Sequence, residues 1–338
     1  MRVCIYGAGA IGAFIGAELA ASGCEVSAVA RGATLAALRK HGMRLQFGDR
    51  LVAEPVRAEE DPAALGAQDL VVIAVKAPAL GSVARCMAPL IGSSTMVLTA
   101  MNGVPWWFFD GFGGDFAGTQ LTSIDPDGGI AAAIPAPHVI GCVVHATCAV
   151  VEPGLARHGF GNRLIVGEPA GGESPRVQQL AALLRKAGFE TEISQRIQND
   201  IWYKLWGNMT MNPVSAITGA TSDRVLDDPL VKAFCHAVMR EAAAVGARIG
   251  CPIAQTPEER NVVTRKLGSF KTSMLQDVEA GKAVEIDALV GVVREIGARV
   301  GLATPNLDAL FGLARLHARM HGLYPWPEAV QAARLRTD

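Results

Sequence analysis

The 338-residue sequence has no CxxC pair, and its seven cysteines (Cys4, Cys24, Cys86, Cys142, Cys148, Cys235, Cys251) are odd in number and scattered. That pattern supports neither a disulfide framework nor a cysteine zinc cluster; it fits a reducing, cytoplasmic compartment. Neither sign of charge is in surplus. With 31 basic against 32 acidic side chains, a net charge of −1 offers no broad field for nucleic acid or an anionic membrane. Although half of the residues are hydrophobic, glycine, proline or charge cuts every apolar stretch short of the ~20 residues a bilayer requires. The first apolar run is broken by Gly7, Gly9, Gly12 and Gly16, so it reads as a turn and not as a secretory signal. P-loop, HExxH and GxSxG patterns are missing as well. What remains is a globular chain large enough to bury its own core, with a small molecule as the expected partner.

The first half alternates short β-rich runs with helical stretches. Val3 to Tyr6, Val26 to Ala30, Leu70 to Val75 and Met96 to Thr99 read as strands, and Ile11, Ile15 and Leu19 share one helical face between the first two. Such βαβ patterning predicts a buried parallel sheet with helices on both faces. Between Gly111 and Gly171, Asp125-Pro126-Asp127-Gly128-Gly129 and Glu152-Pro153-Gly154 are turn signals around apolar strands such as Val139 to Val144, which predicts extra, partly antiparallel strands. After Ser194 helical patterns take over: Ile197 to Met211, Leu226 to Ile249, Pro257 to Ala280, Glu285 to Val300 and Pro305 to Leu323. Asp61-Pro62, Ser174-Pro175, Thr256-Pro257-Glu258-Glu259 and Thr304-Pro305 mark helix starts, pairing a capping oxygen with proline at the first helical position. The expected architecture is an α/β Rossmann-type domain over residues 1–194 and an all-α domain over 195–338.

Gly7-Ala8-Gly9-Ala10-Ile11-Gly12 follows the first strand and opens the first helix. In a dinucleotide site the first glycine permits the tight turn, the second lets backbone approach a pyrophosphate, and the third allows helix to pack on strand. The helix N-terminus adds N–H donors for the phosphates. Arg31 stands after the second strand, where an NAD site places Asp or Glu, and its planar fork suits a 2′-phosphate; NADP(H) is the expected cofactor. Lys76, directly after the strand ending at Val75, and Asn102-Gly103 fall where carboxyl strand ends line the cofactor crevice, although either also reads as an ordinary loop residue.

Lys204, Asn208 and Asn212 recur at four-residue spacing in Ile201–Pro213, giving one helical face an ammonium and two carboxamides among large apolar neighbours. Hydride reduction of a ketone leaves a developing alkoxide that needs a proton donor and hydrogen bonds aimed at its oxygen. A lysine stripped of water by Trp202, Trp206 and Leu205 releases its proton more readily; the plainer reading is a snorkelling surface lysine. Ser273, read as lying late in one long helix, is placed to hydrogen-bond a substrate carboxylate. Glu285, opening the next helix, is placed to hold the lysine charged and oriented. His317 and His321 share a face at metal-ligand spacing but lack a third ligand, so no metal is expected.

Taken together, GAGAIG at Gly7–Gly12, Arg31, Val75-Lys76-Ala77, Asn102-Gly103, the Lys204/Asn208/Asn212-Pro213 helix, Ser273-Met274-Leu275-Gln276-Asp277 and Glu285-Ile286-Asp287 resemble the ketopantoate reductase (2-dehydropantoate 2-reductase) family, in the family's order. The resemblance implies NADPH-dependent reduction of a 2-oxo acid, by default ketopantoate to pantoate in pantothenate biosynthesis. It also implies a Rossmann domain followed by a helical domain, of 6-phosphogluconate dehydrogenase-like architecture, with the site in the cleft. By that analogy Lys204 is the general acid, and Asn208, Asn212 and Ser273 bind substrate. Asn102 touches both cofactor and substrate; Gly7 to Gly12, Arg31 and Lys76 bind NADP, and Glu285 links cofactor ribose and lysine. Two positions depart from the family: Phe270 and Ser222 stand where members often carry asparagine. Together with the aromatic run Pro105-Trp106-Trp107-Phe108-Phe109, they leave room for a bulkier or more apolar 2-oxo acid. A rival of another class is a non-catalytic NADP-sensing protein, against which Lys204 and Glu285 speak. The apolar helical half is compatible with a homodimer.

Overall fold

The computed structural model describes residues 1–266 and 268–327. Contacts divide the chain into two compact units, Met1–Ile201 and a second from Trp202 onward.

The first unit is built on strands β1 (Arg2–Tyr6), β2 (Glu25–Val29), β3 (Met43–Phe47), β4 (Arg50–Glu54), β5 (Arg57–Glu59), β6 (Gln68–Ile73), β7 (Ile91–Thr99), β8 (Val139–Glu152), β9 (Leu155–Gly167) and β10 (Glu190–Ile193). Helices α1 (Ala10–Ala21), α2 (Gly32–His41), α3 (Leu80–Ala84), α4 (Gly129–Ala133) and α5 (Pro175–Lys186) connect them. The strands form one mixed sheet of order β4-β3-β9-β8-β7-β6-β1-β2-β5, with β10 pairing β9 off that path. Its centre is parallel from β8 to β5. Val3, Ile5, Leu70, Val72 and Leu98 are fully buried there, as parallel strands covered on both faces require.

All four expected strands are present, the third ending at Ile73, two residues before Val75. The expected antiparallel addition is β8–β9, turned at Pro153-Gly154. The Asp125 carboxylate accepts from the N–H groups of Ile130 (3.0 Å) and Ala131 (2.9 Å), so the Asp125–Gly129 turn signal also starts α4. The β3–β4 hairpin was not anticipated. Trp106, Trp107, Phe108 and Phe109 are core residues of this unit. The Trp107 ring covers Gly141, where a Cβ would meet its Cη2 at 2.5 Å.

α6 (Ile197–Thr218) contains the division between the units, and α7 (Ser222–Asp227), α8 (Pro229–Arg248), α9 (Pro257–Arg265), α10 (Ser273–Glu279), α11 (Val292–Arg299) and α12 (Pro305–Met320) follow. α6 runs past Pro213, seven residues beyond its expected end at Met211, and buries Val214, Ser215 and Ala216, which offsets the hydrogen bond that proline removes. The stretch from Leu226 to Ile249 is two helices, because Asp228 accepts from Leu230 and Val231 N–H and restarts the chain at Pro229. Pro257 to Ala280 is also broken: Gly268 takes a positive φ (+70°) and Thr272 caps α10 by accepting from Leu275 N–H at 3.2 Å. Ser273 therefore opens its helix, contrary to the late position expected. Leu267, inside that stretch, and the expected domain's last residues lie outside the described residues.

The capping box at Thr256 and Glu259 forms as expected, but Thr304 makes no side-chain cap. Glu241 of α8 takes its place, accepting from the N–H groups of Asn306 (3.0 Å) and Leu307 (2.9 Å) and from the Asn306 carboxamide (2.7 Å). Glu241→Ala should cost about 1–2 kcal/mol, the loss of a helix cap, read as a lowered urea midpoint with unchanged slope. An unchanged midpoint would mean that water replaces the carboxylate at no cost.

None of the seven cysteines is in a disulfide. Burial pushes the thiols of Cys4, Cys148 and Cys235 up to about 12. Among the described residues, no helix is long and apolar enough to cross a membrane, and no cluster of three or more His, Cys, Asp or Glu gathers to hold a metal.

Candidate active site

Tyr6, Val29, Ile73 and Thr99 are in register at the carboxyl ends of β1, β2, β6 and β7. The loops after them leave the sheet from one edge and are tied there by backbone bonds: Gly7 N–H to Val29 O (3.3 Å), Ala74 N–H to Tyr6 O (3.0 Å) and Ala100 N–H to Ile73 O (2.9 Å). This edge brings the glycine loop, Arg31, Lys76 and Asn102 to one side of the first unit.

Each glycine's space has a different owner. Gly7 has φ +97°, and a Cβ there would meet Val75 Cγ1 at 2.5 Å, so the loop after β6 closes on it. A Cβ on Gly12 would collide with the Gly7 carbonyl oxygen and press on Ile5. At Gly9 nothing lies within 4 Å of the Cβ position. The cradle is thus closed by protein on two glycines and open on the middle one, at the N-terminus of α1, whose first turn carries no acidic side chain. The first N–H groups of a helix have no intrahelical partner, so this shape fits a pyrophosphate.

Arg31 is exposed at the N-cap of α2. Burial pushes the Tyr6 phenol above its ordinary value while the positive charge of Arg31 pulls the other way. Lys76 is three residues past β6, at the cap of the short Ala77–Ala79 turn, not directly at a strand end as expected. Asn102 precedes Gly103, whose φ is +86°.

In the second unit Trp202, Leu205 and Trp206 are buried, and Trp206 Nε1 donates to Met239 O at 2.7 Å, which fixes α6 with Lys204 and Asn208 partly exposed. Asn212, 5% exposed, directs its carboxamide at Ser273 Oγ (3.5 Å), so the end of the α6 stripe meets the first residue of α10. Glu285 is also 5% exposed; its carbonyl accepts from Leu289 N–H (3.2 Å) and starts the π-turn Asp287–Gly291 ahead of α11. That segment is held from both sides. Val284 N–H donates to Leu323 O at 3.2 Å, and the Tyr324 hydroxyl donates to both Asp287 oxygens (3.0 and 2.9 Å). Burial raises the Asp287 carboxyl, with the Tyr324 bond opposing it.

Ser222 and Phe270 form one local arrangement. Ser222 Oγ donates to Gly268 O (3.0 Å) and accepts from Phe270 N–H (3.3 Å), and Ser222 N–H donates to Phe270 O (3.0 Å). The hydroxyl is consumed in pinning the loop that leads to Ser273. Sequence reasoning missed Tyr324, which carries no motif; only a three-dimensional partner reveals it.

The ketopantoate reductase PanE/ApbA model matches residues 3–106, and the model of that family's C-terminal part matches residues 196–318. The chain belongs to the ketopantoate reductase family. It is 44% identical to a 2-dehydropantoate 2-reductase of Mesorhizobium japonicum over 96% of this chain and 100% of that relative. A PanE/ApbA family ketopantoate reductase structure from Ralstonia eutropha JMP134 superposes with a TM-score of 0.81 at 28% identity, covering 95% and 100% of the two chains. Another 2-dehydropantoate 2-reductase structure, from Geobacter metallireducens GS-15, gives a TM-score of 0.80 at 26% identity over 93% and 99%. The Rossmann-type first unit and helical second unit are thus the ketopantoate reductase architecture.

Proposed function

We propose that the chain reduces ketopantoate to pantoate with NADPH. The observation that carries this reading is the polar stripe of Lys204, Asn208 and Asn212 on a helix whose large neighbours Trp202, Leu205, Trp206 and Met209 are buried, met at its end by Ser273. Family membership makes the reaction an oxidoreduction and the cofactor a nicotinamide dinucleotide, which when bound supplies the hydride. Gly7, Ala8, Gly9, Ala10, Ile11 and Gly12 would hold its pyrophosphate, with Lys76 and Asn102 at the same edge. The Lys204 ammonium delivers a proton to the carbonyl oxygen as negative charge develops there. Asn208, Asn212 and Ser273 hydrogen-bond the substrate, Asn102 serves both ligands, and Glu285 keeps the ammonium oriented. In this reading residues 1–194 bind cofactor and 195–338 bind substrate and move the proton.

Preference for NADPH rests on Arg31. Arg31→Ala should raise the KM for NADPH by about 10- to 100-fold, the worth of a charge-assisted fork to phosphate, and leave the KM for NADH unchanged. Equal losses for both cofactors would remove the 2′-phosphate assignment. The reaction itself is tested by NADPH oxidation over a panel of 2-oxo acids; no consumption with any acid would favour a cofactor sensor. A second reading, a more apolar 2-oxo acid, is favoured by the Ser222 hydroxyl being spent on the Phe270 loop, and the same panel tests it.

A further inference from the structure

Arg260 of α9 stands out on charge. It is half-buried, and its Nε is enclosed without a hydrogen-bond partner. Among the described residues no carboxylate pairs with it. Its guanidinium lies over the Tyr203 ring (4.9 Å to the centroid), and Nη1 is 3.4 Å from the Tyr203 hydroxyl, which itself donates to Gln255 (2.8 Å). A cation drawn partly out of water without an anion is costly, so something anionic is the missing partner.

Its position says which anion. Nε and Nη2 each come within 3.0 Å of the point where a Cβ on Gly207 would be; only glycine lets the guanidinium lie this close to α6. Gly207 is three residues after Lys204 and one before Asn208, and side chains three apart on a helix have Cβ atoms about 5–6 Å apart, so the guanidinium lies within about 9 Å of the Lys204 Cβ. A 2-oxo acid carries its carboxylate on the carbon next to the ketone, and a lysine side chain spans most of that distance. One small molecule can therefore touch both cations.

We propose that Arg260, seated in the Gly207 gap and propped by Tyr203, binds the carboxylate of the 2-oxo acid whose ketone faces Lys204. The assignment rests on the reading above that the substrate is such an acid, and it gives the carboxylate to Arg260 in place of Ser273, which is left to hydrogen-bond the rest of the substrate. Arginine suits it because its planar fork matches a carboxylate with two parallel hydrogen bonds.

The test compares ketopantoate with its uncharged lactone, which keeps the ketone and loses the anion, in steady-state reduction with NADPH. In Arg260→Met the KM for ketopantoate should rise about 10- to 100-fold, as for a lost charge-assisted hydrogen bond, while the KM values for lactone and NADPH stay put. Arg260→Lys, which keeps the charge without the fork, should fall between wild type and Arg260→Met; it decides the matter if thermal melting shows the methionine variant unfolded. Equal losses for acid and lactone would reduce Arg260 to a prop for Tyr203, and an unchanged KM for the acid would leave it no role in binding; either overturns the proposal. Wild-type protein that reduces no 2-oxo acid overturns the functional reading and this assignment together, whereas active wild type with an indifferent Arg260 overturns this assignment alone.

Discussion

Lys204→Ala should lower kcat for ketopantoate by about 10²- to 10⁴-fold, the range a positioned general acid contributes, with the Kd for NADPH within about twofold of wild type. The split follows from location: Lys204 lies on α6 in the second unit, while the glycine cradle is built from β1, α1 and the loop after β6. If the lysine acted only by packing, its loss would appear first in stability, because Trp202 and Trp206 on either side are fully buried. Turnover by the alanine variant at the wild-type rate would dismiss the proton-donor role. A drop in kcat/KM with kcat preserved would recast Lys204 as a binding group.

Gly9 and Gly12, three residues apart in sequence, should respond in opposite ways to one added methyl. Gly9→Ala meets nothing within 4 Å, and the backbone there (φ −80°) is one that alanine adopts, so the melting temperature should hardly move. NADPH affinity should nevertheless fall by about 100-fold or more, since the methyl occupies the face that a pyrophosphate needs. Gly12→Ala drives a Cβ into the Gly7 carbonyl and should cost about 3 kcal/mol of stability, or abolish folding. Thermal melting and fluorescence titration with NADPH separate the two. Undiminished NADPH binding by Gly9→Ala would show that the phosphates lie elsewhere.

These outcomes also mark how far the sequence carried. The parallel centre of the sheet was legible because β1, β2, β6 and β7 are compact apolar runs bounded by turns, the pattern that burial on both faces imposes. The β3–β4 hairpin escaped because Arg44 and Gln46 fall on one face and Arg50 and Glu54 on the other, so neither face reads as apolar, and five-residue strands carry little periodic signal. Helix existence was legible and helix continuity was not. The break ahead of Ser273 depends on the conformation of Gly268 and the Thr272 cap, and the start of α12 is capped by Glu241, a residue far away in sequence. Within the site, a four-residue period exposed Lys204, Asn208 and Asn212 as one face. No period points from Asn212 to Ser273, from Tyr203 to Arg260 or from Asp287 to Tyr324; those pairings arise only when separate helices pack.

The buried thiols have a practical consequence. With Cys4 and Cys235 buried and their thiols pushed up to about 12, both stay protonated at pH 7, and the thiolate is the form that peroxide and alkylating agents attack. Iodoacetamide should leave these two unlabelled in the native fold and modify them once urea opens it, which makes them internal reporters of unfolding that require no engineered probe.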